Sequence, residues 1–138
     1  MHEEIAINLS RSTGSESAIN FLVQKYRDCR AKHQKCSPPR SLASVTYPSR
    51  LLDLGTGENG LVVLRETCIL PNEDYACLSH CWGDFRPLTL NSDTRSILTA
   101  GIQVAALPKT FRDAIVVTRS LCIRYLWIDS LYMNNLRC

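Results

Sequence analysis

The chain has 138 residues, of which 45% are apolar, and this suits one packed domain rather than a disordered chain. The formal net charge of +3 is too small to indicate nucleic-acid binding by itself, and the apolar runs fall far short of the ~20 residues of a membrane-spanning helix. We therefore expect neither a nucleic-acid partner nor a membrane. Seven cysteines without a secretory signal predict reduced thiols and a cytoplasmic protein.

The first third of the chain is predicted to hold one helix. Residues 1–15 carry little pattern and are expected to form a loose terminus. From residue 16 to about 35, apolar residues recur every three or four positions, and Thr13 and Glu16 have the spacing of a capping box. The rest of this helix is basic, so it is either a solvated face or a site for an anionic partner. The Ser- and Pro-rich residues up to 49 are predicted to form a linker.

A β-hairpin is predicted next. Two β-rich segments, residues 50–54 and 61–66, flank the sequence GTGENG. Its glycines and asparagine supply the positive φ angles that a hairpin loop needs. A phosphate-binding loop would instead require a helix directly after the glycines. The β-rich segment that follows favours the hairpin.

The remaining elements predict an α/β fold. Residues 75–82 are expected to form a strand buried among its neighbours, 93–100 a short helix closed by Gly101, and 108–121 an amphipathic helix. The nearly continuous apolar run from 124 to 129 indicates a second buried strand, parallel to the first. Together these elements predict a partial doubly wound sheet with an N-terminal helix and a β-hairpin.

Three segments carry a family resemblance. YACLSHCWG, LPKTFRDAIVVTRSL and RYLWIDSL, in this order, resemble the HET domain of fungal heterokaryon-incompatibility proteins, and CRAKHQKC and PSRLLDLG resemble a lead-in found in many of them. The resemblance implies self/non-self recognition and programmed cell death through contacts with other signalling proteins, with no cofactor. It also implies a fold like that of TIR domains, some of which cleave NAD. A TIR-like NAD hydrolase is therefore the alternative, and only there would NAD be bound.

The chain departs from the HET pattern at two places. The family typically has a glycine where this chain has Cys122, and the sequence from Tyr132 onward does not follow the family. We therefore assign residues 50–131 to a partial HET domain and 132–138 to a divergent tail, and we expect a truncated domain. A non-functional fragment of a longer gene product is a further alternative.

Candidate site residues cluster where two predicted strands end. His80 and Asp129 are the candidate catalytic residues, and Trp82 and Gly83 the candidate ligand-binding residues, because functional groups of such sheets lie at the C-terminal ends of strands. No complete catalytic constellation is visible, so the sequence leaves open whether the chain is an enzyme. Cys77 and Cys81 would lie about 13 Å apart along one strand, too far for a disulfide or a shared metal.

A second cluster has the ligand types of a zinc site. Cys29, His33 and Cys36 are spaced so that a helix brings them toward one face. A closed zinc site needs a fourth ligand, however, and none is evident nearby. Burial on the apolar stripe of the helix explains the three residues equally well, so the sequence predicts no metal and leaves them as its candidate ligands.

Overall fold

The computed structural model describes residues 12–36, 48–55, 60–67, 73–81, 83–84 and 88–131. The chain divides into two units, residues 1–40 and residues 41–138. The first contains a helix and a short 3₁₀ turn, and the second contains a sheet with two helices. Within the described ranges, no helix has the length and apolar character needed to cross a membrane.

The first unit is built on helix α1, Glu16–Lys32. The predicted capping box of Thr13 and Glu16 is wrong. Ser15 is the N-cap, and its hydroxyl accepts a hydrogen bond from the N–H of Ala18 at 3.3 Å. Because Ser15 directly precedes the helix, Glu16 becomes the first helical residue and is too early to close a box. The helix ends three residues before the predicted position and is followed by the 3₁₀ turn Gln34–Cys36.

The second unit contains a five-stranded mixed sheet. Its strands are β1 Arg50–Asp53, β2 Leu61–Glu66, β3 Tyr75–Leu78, β4 Ile102–Gln103 and β5 Tyr125–Ile128. Their spatial order is β3-β5-β1-β2-β4, in which β3 and β5 are parallel and the other neighbours are antiparallel. The predicted α/β class is confirmed, as are the N-terminal helix and the hairpin. The parallel pairing of residues 75–78 with 125–128 is also confirmed.

The hairpin joins β1 and β2 in antiparallel register, with Leu52 opposite Leu64. Gly55 and Gly60 bracket the loop with φ angles of +59° and +62°, a region that glycine enters without steric penalty. A strand follows the loop, so the backbone lacks the helix N-terminus on which a phosphate-binding loop depends. The glycine-rich segment thus serves to reverse the chain.

Two helices lie between β3 and β5 in the chain. Helix α2, Ser92–Ala100, begins with a capping box between Asn91 and Thr94. Helix α3, Lys109–Ser120, begins after Pro108 and ends in a left-handed residue, Cys122, with φ 58°. The N–H of Ile123 bonds the carbonyl of Thr118 at 3.1 Å, and the N–H of Cys122 bonds that of Arg119 at 2.9 Å. This is the Schellman arrangement that usually places glycine where Cys122 stands.

The core lies between one face of the sheet and the two helices. Alternate residues of the strands point to this face, as the period of a strand requires. The buried cluster includes Leu52, Val62, Leu64, Leu126 and Ile128 from the sheet, Leu98 from α2, and Phe111 and Ile115 from α3. Burying each such side chain contributes about 1.5–3 kcal/mol to folding.

Strand β3 is shorter and more exposed than predicted. It ends at Leu78 rather than Trp82, because Leu78 pairs with Ile128 and β5 then turns into the 3₁₀ turn Asp129–Leu131. Beyond that point β3 has lost its pairing partner. Cys77 and Cys81 are exposed, so the expected burial of these cysteines within the strand is wrong. Ala76 and Leu78 pack on the core, and Cys77 faces the other way.

Candidate functional site

His80 and Asp129 are brought together at one edge of the sheet. The parallel register of β3 and β5 places Leu78 beside Ile128, so the two strands end at the same edge of the sheet. His80 follows β3 by two residues and Asp129 follows β5 directly. Nδ1 of His80 lies 3.7 Å from Oδ1 of Asp129. The two candidate catalytic residues are therefore neighbours, as expected for groups at the C-terminal ends of parallel strands.

The imidazole of His80 is held by the core as well as by the carboxylate. Its ring meets the ring of Phe111 edge-on, with the centroids 5.6 Å apart and the planes at 90°. The His80 side chain is 14% exposed and that of Asp129 is 32% exposed. At 3.7 Å the two groups do not form a hydrogen bond, and the buried Nδ1 has no hydrogen-bond partner among the described residues. The contact is an ion pair when the imidazole is protonated.

Asp129 also shapes the backbone after β5. Its Oδ1 accepts a hydrogen bond from the N–H of Ser130 at 2.7 Å, within the turn that follows the strand. The same oxygen faces His80, so the carboxylate both stabilises the turn and lines the strand-end site. Ser130 is 0% exposed, and within the part of the chain that the structure describes its buried hydroxyl has no hydrogen-bond partner. The sequence places Ser130 at a polar strand end, but nothing in it singles out this hydroxyl.

The strand-end site lacks a placed nucleophile among the described residues. The hydroxyl of Ser130 is fully buried and Ser79 is exposed, whereas the paired His80 and Asp129 offer proton transfer. In many hydrolytic sites a carboxylate orients such a histidine through a hydrogen bond, which is not formed at 3.7 Å. The described residues therefore supply a neighbouring acid and base and no complete catalytic set.

Gly83, one of the two candidate ligand-binding residues, lies in an exposed turn. Its φ angle is +61°, and a Cβ added there would meet no atom of the described residues within 4 Å. The glycine is thus required by the backbone conformation and not by a close neighbour. Trp82 lies outside the described residues. Ligand binding by Trp82 and Gly83 stays a prediction.

An ion pair between a buried carboxylate and a half-exposed arginine, which sequence reasoning did not select as a pair, joins the end of β1 to the start of β5. Nε and Nη2 of Arg124 donate to Oδ1 and Oδ2 of Asp53 at 2.8 and 2.9 Å. Asp53 also accepts from the N–H of Gly55, and Arg65 lies 3.5 Å away. Burial opposes ionisation of Asp53, but the Arg124 and Gly55 hydrogen bonds and the arginine charges hold its pKa below the usual value. Each of these contacts lies within the sheet and its hairpin, which indicates a structural role.

The candidate metal ligands also come together. One ligand atom each from Cys29, His33 and Cys36 lies within 4.8 Å of the other two. Nδ1 of His33 is 3.5 Å from Sγ of Cys29. Helix α1 has no buried residue, and His33 is exposed. Cys29 and Cys36 are half-buried, so burial can account for the two cysteines but does not account for His33.

Comparison with known proteins identifies one segment. Residues 75–136 match the family described as heterokaryon incompatibility protein (HET), which confirms the resemblance over part of the domain. The matched segment contains β3, β5, His80 and Asp129, whereas the hairpin and the Cys29–Cys36 cluster precede it. No curated protein and no solved structure matches the chain.

Proposed function

We propose that this chain, which matches the heterokaryon-incompatibility family over residues 75–136, is a self/non-self recognition module that triggers cell death through contacts with other signalling proteins in the cytoplasm. The family match carries this proposal. The matched residues include both parallel strands and the helix packed on them, so the segment corresponds to a folded part of the chain. The role itself comes from the family.

Protein contacts require exposed side chains on a rigid support, and the two sheet-packed helices offer them. Val116 on α3 is 55% exposed and Ile97 on α2 is 54% exposed. The buried side chains Ile115 and Leu98 lie next to them in sequence and hold each helix to the core. Single exposed apolar residues are common on protein surfaces, so these two do not by themselves define an interface. They provide the positions at which contacts can be tested.

The proposal is tested by inducing the full chain in a fungal host and counting viable cells. We expect loss of viability with the wild-type chain and none with Leu126→Asp, which places a carboxylate in the core and unfolds the domain. Val116→Ser should fold normally and kill less. If the wild-type chain accumulates in folded form and the cells remain viable, the proposal is wrong. Equal killing by Leu126→Asp would assign the effect to general toxicity.

The pairing of His80 with Asp129 favours one second candidate, a TIR-like NAD hydrolase. A carboxylate 3.7 Å from an imidazole at the strand ends is the acid–base pair that such an enzyme would use. NAD should then disappear faster with the purified chain than in buffer alone, and Asp129→Ala should abolish the difference. Asp113→Ala is the matched control, because Asp113 is exposed on α3 and pairs with Lys109. NAD loss no faster than in buffer would exclude this candidate.

A further inference from the structure

A preformed group of soft metal ligands lies at the end of α1. Cys29 belongs to the last turns of the helix, His33 is its C-cap and Cys36 closes the following 3₁₀ turn. One ligand atom from each lies within 4.8 Å of the other two. Two thiols and an imidazole are the donors that zinc prefers in proteins.

The spacing of these atoms is close to that of a tetrahedral zinc centre. With Zn–S near 2.3 Å and Zn–N near 2.0–2.1 Å, tetrahedral angles put sulfur and nitrogen about 3.6 Å apart and two sulfurs about 3.8 Å apart. The observed distance from Nδ1 of His33 to Sγ of Cys29 is 3.5 Å. A shift of at most about 1.2 Å would bring the remaining separations from the 4.8 Å limit to these values.

Backbone hydrogen bonds hold the three residues in place without a metal. The N–H of His33 bonds the carbonyl of Cys29 at 3.1 Å, which keeps these side chains one helical turn apart. The N–H of Cys36 then bonds the carbonyl of His33 at 3.0 Å and turns the chain back. The guanidinium of Arg30 reaches the Cys36 carbonyl at 3.4 Å. Little ordering remains to be done when a metal binds.

The thiols are accessible and in contact with each other. Cys29 and Cys36 are half-buried free cysteines, and His33 is exposed. The ligand atoms of the two cysteines lie within 4.8 Å of each other. The thiolate form of a cysteine is the one that binds a metal. Core packing explains neither the accessibility nor the convergence of these groups.

We propose that Cys29, His33 and Cys36 bind one Zn²⁺ through the two Sγ atoms and Nδ1, with a fourth position open to water or an outside donor. On binding, each thiol releases one proton and the two thiolates balance the charge of the ion. The three ligands cross-link the end of α1 to the 3₁₀ turn. This site lies outside the family match and is independent of the proposed cell-death role.

Metal content of the purified full chain tests the proposal. Reduced chain is loaded with Zn²⁺, dialysed against metal-free buffer and analysed for zinc by mass spectrometry. We expect one zinc per chain in the wild type. Cys29→Ser and Cys36→Ser should each weaken binding by more than the ~10–100-fold that loss of an outer-shell partner causes. Cys81→Ser is the control, because Cys81 is an exposed free cysteine far along the chain, and it should bind zinc normally.

Cobalt substitution identifies the ligands. Co²⁺ in the same site should show the visible bands of tetrahedral coordination and a sulfur-to-metal charge-transfer band. The intensity of the charge-transfer band should fall in Cys29→Ser, and the visible bands should shift in wavelength in His33→Ala. Circular dichroism of the metal-free variants should match the wild type, which separates lost ligation from lost folding. No retained zinc, or equal retention by all four variants, would overturn the proposal. So would a Cys29–Cys36 disulfide that persists under the reducing conditions of the assay.

Discussion

Arg124 holds the carboxylate of Asp53 through two parallel hydrogen bonds of 2.8 and 2.9 Å, and so ties β5 to β1 in the middle of the sheet. The Asp53 side chain is 6% exposed and that of Arg124 is 49% exposed. The acid therefore depends on this partner more than the base does. Removing the arginine leaves a buried charge that is only partly compensated.

Loss of this pair should destabilise the fold. Arg124→Ala removes both hydrogen bonds, while Arg65 at 3.5 Å still offsets part of the charge of Asp53. We expect the free energy of unfolding to fall by about 2 kcal/mol. Urea denaturation measures it. Arg112→Ala, on the exposed face of α3, is the control and should change stability by less than about 0.5 kcal/mol. Equal effects of the two variants would contradict the structural role.

The same pair predicts a pH dependence of stability. The pKa of Asp53 is lower in the folded chain than in the unfolded one, so the folded state releases this proton more readily. Its contribution is complete well above the unfolded value of about 3.9 and is lost as the pH falls through the folded pKa. Between pH 6 and pH 3, the urea midpoint of the wild type should fall further than that of Asp53→Asn. Parallel pH profiles of the two proteins would refute this.

The end of α3 offers a stabilising substitution. Cys122 occupies a left-handed conformation, φ 58°, that a side chain disfavours by about 1–2 kcal/mol. Glycine removes that strain. Its greater conformational freedom in the unfolded chain costs about 0.5–1 kcal/mol of stability in return. Cys122→Gly should therefore raise the free energy of unfolding by about 0.5–1 kcal/mol. Cys122→Ala keeps the Cβ and should bring no such gain. If alanine and glycine stabilise equally, removal of the thiol is the cause.

Two buried hydroxyls should respond in opposite ways to removal. Ser130 is fully buried and its Oγ has no hydrogen-bond partner among the residues that the structure describes, so Ser130→Ala should leave stability unchanged or raise it by up to about 1 kcal/mol. Thr118 donates to the carbonyl of Ala114 at 2.7 Å, so Thr118→Val should lower stability by about 1 kcal/mol. Thermal unfolding distinguishes them. A large loss in Ser130→Ala would indicate a partner for this hydroxyl.

Local sequence patterns predict where the helices and strands of this fold lie better than they predict which strands pair with each other. The glycines of the hairpin loop and the apolar spacing of α3 are local signals, and both elements form where expected. The placement of β1 between β5 and β2 depends on pairing between distant segments, which no short window of sequence encodes. The predicted end of β3 is wrong for the same reason, because the last residue of β3 is set by its pairing with the end of β5.

The strand-end site shows the same division. Topology alone predicts that His80 and Asp129 meet, since they follow adjacent parallel strands. Their 3.7 Å separation and the edge-on contact of His80 with Phe111 depend on the strand register and on how α3 packs. The role of Asp53 was missed because its partner, Arg124, lies 71 residues away.

The position of β5 between β1 and β3 has a consequence for how the chain folds as it is synthesised. The hairpin can form early, since its strands are adjacent in the sequence. The position between β3 and β1 stays vacant until residues 125–128 emerge, and they must then enter between two strands already made. Contacts between such distant segments slow folding. Until then the nascent sheet exposes unpaired backbone edges, which makes this interval the one in which association with other chains competes with folding.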